Sequence, residues 1–286
     1  MSEWVELPPS AAGWRAVFLV AGDELRRAAR SRWILVFAVS FAVLALGISY
    51  FGLAGTGTAG FQSFRRVTAS LLNLVLLWVP LVALLLAVSR LTGSREALGF
   101  FLSQPLSRRD ALVGKYLGLL AAFSVAQAIG FGGAGVVIGV SAGGAHASGF
   151  AVLVALSLAL GAIFLALGLA AATVWPDRVR ALGAALAIWL LATLLYDLVA
   201  VGVTSVVYGL PVRRMLVTAV WCNPVDLSRV LATAALGGKA LFGPTGAAVG
   251  QFLLSPLGAA AAGASLLFWL FAPLGLAVRR FEGRDF

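Results

Sequence analysis

The sequence is dominated by uninterrupted apolar runs of about 20 residues, the length that a helix rising 1.5 Å per residue needs to cross the hydrocarbon of a bilayer. Of the 286 residues, 61% are hydrophobic and only 11% are charged, whereas about a quarter of the residues in a soluble domain are charged. Lipid must therefore act as solvent for much of the surface. The pattern predicts an all-α, polytopic membrane protein.

Six runs are predicted to span the membrane within a single transmembrane domain of residues 1–286. The first run follows four arginines and is too long for the core of a signal peptide, so we expect it to remain as an uncleaved helix. The predicted spans are residues 33–53, 69–88, 116–140, 150–174, 181–203 and 256–278.

A seventh helical pattern, over residues 14–30, precedes the first span. Its apolar residues recur at helical spacing, and its charged residues lie mostly on the opposite face. Such an amphipathic segment is expected to lie along the membrane surface as an elbow helix. The apolar face consists of Trp14, Val17, Phe18, Ala21, Leu25 and Ala28.

The distribution of basic residues predicts the orientation. If both termini are cytoplasmic, 15 of the 21 Lys and Arg residues fall on the cytoplasmic side. Cytoplasmic loops carry the excess of basic residues in membrane proteins. The sequence therefore predicts a multi-pass protein of the bacterial inner membrane with both termini in the cytoplasm.

Two connections between spans are long enough to carry function: residues 89–115 on the cytoplasmic side and residues 204–255 on the periplasmic side. The periplasmic connection contains short apolar runs at 215–221, 230–236 and 247–254. Because these runs are too short to span, we expect interfacial or re-entrant helices.

The cytoplasmic connection contains a predicted short helix that ends at Pro105, since proline disrupts a helix interior. Leu98, Phe101 and Leu102 would form an apolar knob that another protein could contact. The alternative is that these side chains lie flat on the lipid interface. The sequence leaves both interpretations open.

This connection resembles the coupling region of type-2 ABC exporter permeases, in which a surface helix ends in Leu-x-x-Pro and is followed by a basic turn and Gly-Lys. Here Leu102 and Pro105 supply the first motif, and Gly114 and Lys115 supply the second. The resemblance implies that a separate ATPase docks on this region. The implied coupling residues are Arg95, Glu96, Leu98, Phe101, Leu102, Pro105, Arg108 and Arg109.

Two further segments narrow the resemblance. Tyr196-Asp197-Leu198 and the Asn-Pro-x-Asp-x-x-Arg stretch beginning at Asn223 are similar to segments of the permeases of transporters that serve nitrous oxide reductase maturation. That likeness implies a homodimer, two copies of a cytoplasmic ATPase that uses ATP and Mg, and a β-helical periplasmic protein. The residues implied in periplasmic docking or gating are Asn223, Pro224, Asp226 and Arg229.

The same stretch has a purely structural interpretation. Asn223 is a good helix N-cap, Pro224 suits the first helical position, and a carboxylate at Asp226 suits the positive end of the helix dipole. Arg229 lies one turn from Asp226 and is expected to pair with it.

Tyr196 and Asp197 fall near the outer end of the fifth predicted span. An ionisable residue inside a membrane is costly and is by default a functional hypothesis. Since the end of a predicted span is uncertain by several residues, Asp197 is predicted either in the bilayer core or at its interface.

Catalysis by the chain itself is not expected. The pattern Gly139-x-Ser141-x-Gly143, followed by His146, matches the nucleophile elbow of a serine hydrolase, but no strand precedes it. No phosphate-binding loop is present, because Gly114-Lys115 lacks the Ser or Thr that must follow. Any ATP must be hydrolysed by another chain.

A metal site is not expected either. The chain has one Cys, one His and two Met, whereas copper(I) prefers thiolate and thioether ligands. The resemblance concerns maturation of a copper–sulfur site, so the sequence leaves two options: a sulfur-containing species crosses, or ATP-driven movement is passed mechanically to a periplasmic partner.

Two alternatives remain open. The first is a generic ABC exporter permease for a lipid or hydrophobic substrate. The second is an ATP-independent carrier that uses Asp197 as its ion site, although the spans supply few of the converging polar groups that such a site needs.

Overall fold

The computed structural model describes residues 9–54, 61–93, 107–142, 147–196, 198–199, 219–236 and 255–283. Almost all of these residues are helical, and none of them forms a strand. The predicted all-α class is confirmed.

The helices follow the order expected from the apolar runs. Residues 219–222 are helical as well, and the sixth helix passes directly into a π-turn, a single wider turn with i→i+5 hydrogen bonds. The helices are α1 (Pro9–Ala29), α2 (Arg32–Ala54), α3 (Phe61–Thr92), α4 (Arg108–Ala142), α5 (Ala147–Val174), α6 (Arg178–Leu190) with its π-turn (Leu191–Leu195), α7 (Pro224–Ala235) and α8 (Pro256–Glu282).

Within the described residues, six helices are long and apolar enough to cross a membrane: α2, α3, α4, α5, α6 with its π-turn, and α8. Two of them begin eight residues before their predicted spans, α3 at Phe61 and α4 at Arg108. Hydropathy locates the crossing of the hydrocarbon, but a helix continues past it wherever its ends are satisfied. At α4 the hydroxyl of Ser107 accepts a hydrogen bond from the amide of Asp110 at 3.0 Å.

The core lies between α3 and α5, which make the most extensive helix–helix contact in the described part of the chain. Helix α4 packs against α1 and α2, whereas α8 packs against α5. At the α2–α4 contact, the ring of Phe37 stacks on Phe41 at 5.4 Å and on Phe123 at 4.6 Å. Much of the surface of α2, α6 and α8 is exposed and apolar, as lipid-facing helices require.

One end of this bundle carries Thr92, Arg108 and Glu282, and we call it the inner end; the opposite end is the outer end. Arg108 donates from Nη1 to the carbonyl oxygen of Glu282 at 3.1 Å, which joins the start of α4 to the end of α8. The elbow helix α1 also packs at this end.

The elbow helix differs from its predicted pattern in one respect. Val17 and Ala28, from the predicted apolar face, are buried against the protein, whereas Trp14 and Phe18 remain exposed. The apolar face is therefore divided between a protein contact and an outer apolar strip, which is suited to a lipid interface.

Within the outer connection, α7 begins at Pro224, earlier than the apolar run 230–236 indicated. The reason is the local start signal, because the side chain of Asn223 caps the helix. Of the other two runs, 247–254 lies outside the described residues, and 215–221 is described only from residue 219.

Candidate functional site

The predicted coupling residues Arg95, Glu96, Leu98, Phe101, Leu102 and Pro105 lie outside the described residues. Arg108 and Arg109 are described, in the first turn of α4. Arg108 contacts the end of α8, as given above, and Arg109 is exposed at the inner end. The structure therefore shows what flanks the coupling region on both sides.

The end of α3 and the start of α4 both contact a buried carboxylate of the elbow helix. Glu24 is only 5% exposed. Its Oε1 accepts from Nε of Arg90 at 2.8 Å and lies 2.7 Å from Nη2 of the same guanidinium. Its Oε2 accepts from Nζ of Lys115 at 3.0 Å. One carboxylate therefore binds the last turns of α3 and the second turn of α4.

Two glycines bring the elbow helix close enough for this contact. A Cβ added at Gly114 would lie 2.7 Å from the carbonyl oxygen of Val17, and one at Gly118 would lie 2.5 Å from that of Ala21. Only glycine fits at such distances. This small-xxx-small spacing lets two helix backbones touch, as it does in membrane bundles generally.

Sequence reasoning missed Glu24, although a signal was present. The residue follows Val17 and Val20 at helical spacing and precedes Ala28, so it belongs to the buried face of α1. A carboxylate on a buried helix face needs a partner. The two basic residues that flank the coupling region, Arg90 and Lys115, were the candidates.

At the other motif, Asn223 makes three contacts. Its Oδ1 accepts from the amide of Val225 at 3.0 Å, which is the predicted N-cap. Its Nδ2 donates to the carbonyl oxygen of Ala192 at 2.7 Å and to Oδ2 of Asp226 at 3.2 Å. The cap is confirmed, and the contact with Ala192 adds a link to the π-turn of the fifth span.

The predicted pair of Asp226 and Arg229 is also confirmed, with Nη1 of Arg229 lying 2.9 Å from Oδ1 of Asp226. Asn223, Pro224 and Asp226 are buried, whereas the Arg229 side chain is 33% exposed. Most of the motif therefore lies inside the bundle of this chain.

The depth of this motif follows from its neighbours on α8. The carbonyl oxygen of Trp221 accepts long hydrogen bonds from Oγ of Ser265 at 3.4 Å and Nε1 of Trp269 at 3.5 Å. At 1.5 Å per residue, these two residues lie about 14 and 20 Å along α8 from its outer end. The start of α7 is therefore near the middle of the bundle.

The far end of α7 lies at the outer end of the bundle. A Cβ at Gly149, near the start of α5, would meet Leu236 at 2.9 Å. Helix α7 therefore runs from the middle of the bundle to its outer end. Between the interfacial and re-entrant options, this geometry favours a re-entrant helix.

Tyr196, at the end of the fifth span, also contacts the segment that precedes Asn223. Its hydroxyl donates to the carbonyl oxygen of Ala219 at 2.6 Å. Its neighbour Asp197 lies outside the described residues, so both of its predicted locations remain open.

The hydrolase-like pattern does not form an elbow. Ser141 lies in the last turn of α4, and a nucleophile elbow requires a strand-to-helix turn. His146 lies outside the described residues. Among the residues that are described, no three His, Cys, Asp or Glu side chains come together as a metal site would require.

Comparison with known proteins identifies the class. A family model described as "ABC-2 family transporter protein" matches residues 18–286. The chain belongs to the ABC-2 transporter family, and it is a membrane component of an ABC transporter.

Within that family the chain is a NosY-like permease. It is 34% identical, over 274 residues, to a protein of Pseudomonas aeruginosa named "Probable ABC transporter permease protein NosY"; the match covers 94% of this chain and 98% of that one. A protein of Stutzerimonas stutzeri with the same name is 32% identical over 277 residues, with the same coverage. The predicted resemblance is confirmed.

Proposed function

We propose that this permease couples ATP hydrolysis by a separate cytoplasmic ATPase to an event across the bacterial inner membrane, in the maturation of the copper–sulfur site of nitrous oxide reductase. The observation that carries the proposal is the identity of 32–34% to two NosY permeases over 94% of the chain. A likeness that extends over all the spans and both long connections includes the parts that would receive and transmit movement.

The inner end is proposed to be cytoplasmic and to receive the ATPase. The ends of the coupling region are held there by Arg90 and Lys115, and Arg108 and Arg109 lie within the region at the start of α4. The excess of Lys and Arg at this end supports a cytoplasmic location for both termini. Leu98 and Leu102 are proposed to contact the ATPase.

The working assembly is proposed to contain two copies of this chain, two copies of the ATPase with ATP and Mg, and a β-helical periplasmic protein. The carrying argument is again the likeness to the NosY permeases. In that arrangement the exposed apolar surfaces of α2, α6 and α8 face lipid or the second copy.

For the Asn223 motif we propose gating rather than docking. Asn223 and Asp226 are buried beside the π-turn, where a separate periplasmic protein cannot reach them without rearrangement. A re-entrant helix tied to a spanning helix is suited to passing movement from the spans to the outer face.

The test is ATPase retention. The double variant Leu98→Asp/Leu102→Asp places two charges on the proposed contact, and it should abolish co-purification of the ATPase while the permease stays in the membrane. Val179→Asp is the matched control, because Val179 is an exposed (77%) apolar residue at the inner end outside this region. Unchanged co-purification in the double variant, at the level of the control, would contradict the proposed ATPase contact.

A further inference from the structure

We propose that Glu24 is a positioning residue that holds both ends of the ATPase-coupling region, residues 89–115, on the elbow helix. The inference rests on the proposed function, since it assigns the element through which the region passes its movement to the bundle. Glu24 acts through Arg90 and Lys115.

The geometry is specific to this carboxylate. Arg90 and Lys115 lie near opposite ends of the coupling region in sequence, and each binds a different oxygen of Glu24, at 2.7–2.8 Å and 3.0 Å. The partner residues are themselves largely shielded, with side chains 24% and 14% exposed. Glu24 therefore holds the two ends of the coupling region next to each other.

The surroundings make the removal of one partner costly. Beside Glu24 and Lys115 lies a small cavity with mostly apolar walls formed by Val20, Leu91, Leu112 and others. In such a site a buried charge is tolerated only if it is paired, and removal of one partner leaves the others uncompensated. Without the Glu24 carboxylate, two cations would face each other across an apolar space.

The contact also has a mechanical consequence. Because the backbone of α1 touches α4 at Gly114 and Gly118, a shift of Lys115 cannot leave α1 in place. A movement of the coupling region would reach α1 through the Glu24 contacts. It would reach α4 directly, because the first turns of α4 belong to the coupling region. We infer that α1, α3 and α4 move as one unit at the inner end.

An exposed neighbour provides a matched control. Asp23 precedes Glu24 on the same helix and pairs with Arg27 at 2.7 Å, but both side chains are about half exposed, 42% and 53%. Asp23→Asn therefore removes the same charge one residue away without opening the buried contact. Exposed pairs of this kind contribute little.

The experiment compares Glu24→Gln, Glu24→Lys, Lys115→Glu and the exchange Glu24→Lys/Lys115→Glu with Asp23→Asn. The first measurement is hydrogen exchange of amides 88–93 and 108–115 in the purified chain. The second is the rate of ATP hydrolysis per bound ATPase in the purified complex, together with the amount of ATPase bound.

We expect each single substitution of Glu24 or Lys115 to raise exchange at both ends by about tenfold or more, because a buried pair is broken. The ATPase should remain bound, but its rate of hydrolysis should change by about fivefold. The exchange variant restores opposite charges between positions 24 and 115 but places a lysine beside Arg90, so exchange at amides 108–115 should fall below that of Lys115→Glu while exchange at amides 88–93 stays raised. Asp23→Asn should leave both unchanged.

The inference is overturned if Glu24→Gln matches Asp23→Asn in exchange, or if exchange rises while ATP hydrolysis is unaffected, since the contact is then only structural. It is also overturned if the exchange variant leaves amides 108–115 exchanging as fast as they do in Lys115→Glu. A failure of the proposed function would give a different result: the unmodified chain itself would retain no ATPase.

Discussion

The side-chain amide of Asn223 donates to the carbonyl oxygen of Ala192 at 2.7 Å. This hydrogen bond joins the start of helix α7 to the π-turn at Leu191–Leu195 in the fifth span. A helix that widens to i→i+5 bonding often does so where a foreign side chain inserts beside it. Asn223 therefore has two roles: it caps α7, and it donates a hydrogen bond to the backbone of the π-turn.

Separate substitutions should resolve these two roles. Asn223→Ser keeps an N-cap and loses the bond to Ala192, whereas Asn223→Ala loses both. A cap contributes about 1 kcal/mol, and a buried carbonyl left without its donor costs about 1–3 kcal/mol. The denaturation midpoint in detergent should therefore fall for Ser and fall further for Ala. Equal midpoints for Ser and the parent would show that the Ala192 contact contributes nothing.

Glycine packing at the elbow helix gives a second prediction. Gly118→Ala places a methyl group 2.5 Å from the carbonyl oxygen of Ala21, and such overpacking costs about 1–3 kcal/mol. Gly132 lies on the same helix with open space around it. Gly132→Ala should be neutral or stabilising, since alanine favours helix. Denaturation midpoints of both variants test this, and similar midpoints would refute the close contact.

A polar pair inside the bundle gives a third prediction. Ser157 on α5 donates to Oε1 of Gln127 on α4 at 2.5 Å, and both side chains are fully buried. Interhelical hydrogen bonds in membranes contribute about 0.6 kcal/mol on average and at most about 1.7. Ser157→Ala should therefore lower stability by about 1 kcal/mol, whereas Ser148→Ala, at an exposed position on the same helix, should not. Unfolding in a denaturant series measures both.

The contact between the second and fifth spans gives a fourth prediction. Nε1 of Trp189 donates to the carbonyl oxygen of Leu77 at 3.0 Å, close to Pro80, which lacks an amide hydrogen and weakens the backbone bonding of α3. Trp189→Phe removes the donor but keeps an aromatic ring, so we expect a loss of about 1 kcal/mol. Trp33→Phe, at an exposed position, is the control. The denaturation midpoints of the two variants measure this, and equal midpoints would contradict the prediction.

The features that could be predicted from sequence are local. Hydropathy located the six spans because lipid exposure is a property of composition along one segment. The cap at Asn223 and the ion pair of Asp226 with Arg229 were predictable because the partners in each contact lie within one helical turn.

The features that were missed depend on contacts between distant segments. The pairing of Glu24 with Arg90 and Lys115 joins residues far apart in sequence, and the π-turn at Leu191 has no local sequence signature. The depth of α7 was similarly open, because a 12-residue helix fits an interfacial and a re-entrant position equally well until its contacts with α8 are known.

This chain is a NosY-like permease, and we propose that it works in an ATP-driven assembly. The most direct measurement is gentle solubilisation of native membranes that contain the tagged chain, followed by mass spectrometry of the proteins that co-purify. We expect an ABC ATPase to co-purify together with a secreted β-helical protein. An ATPase alone would favour a generic exporter, and the absence of any ATPase would contradict the proposed function.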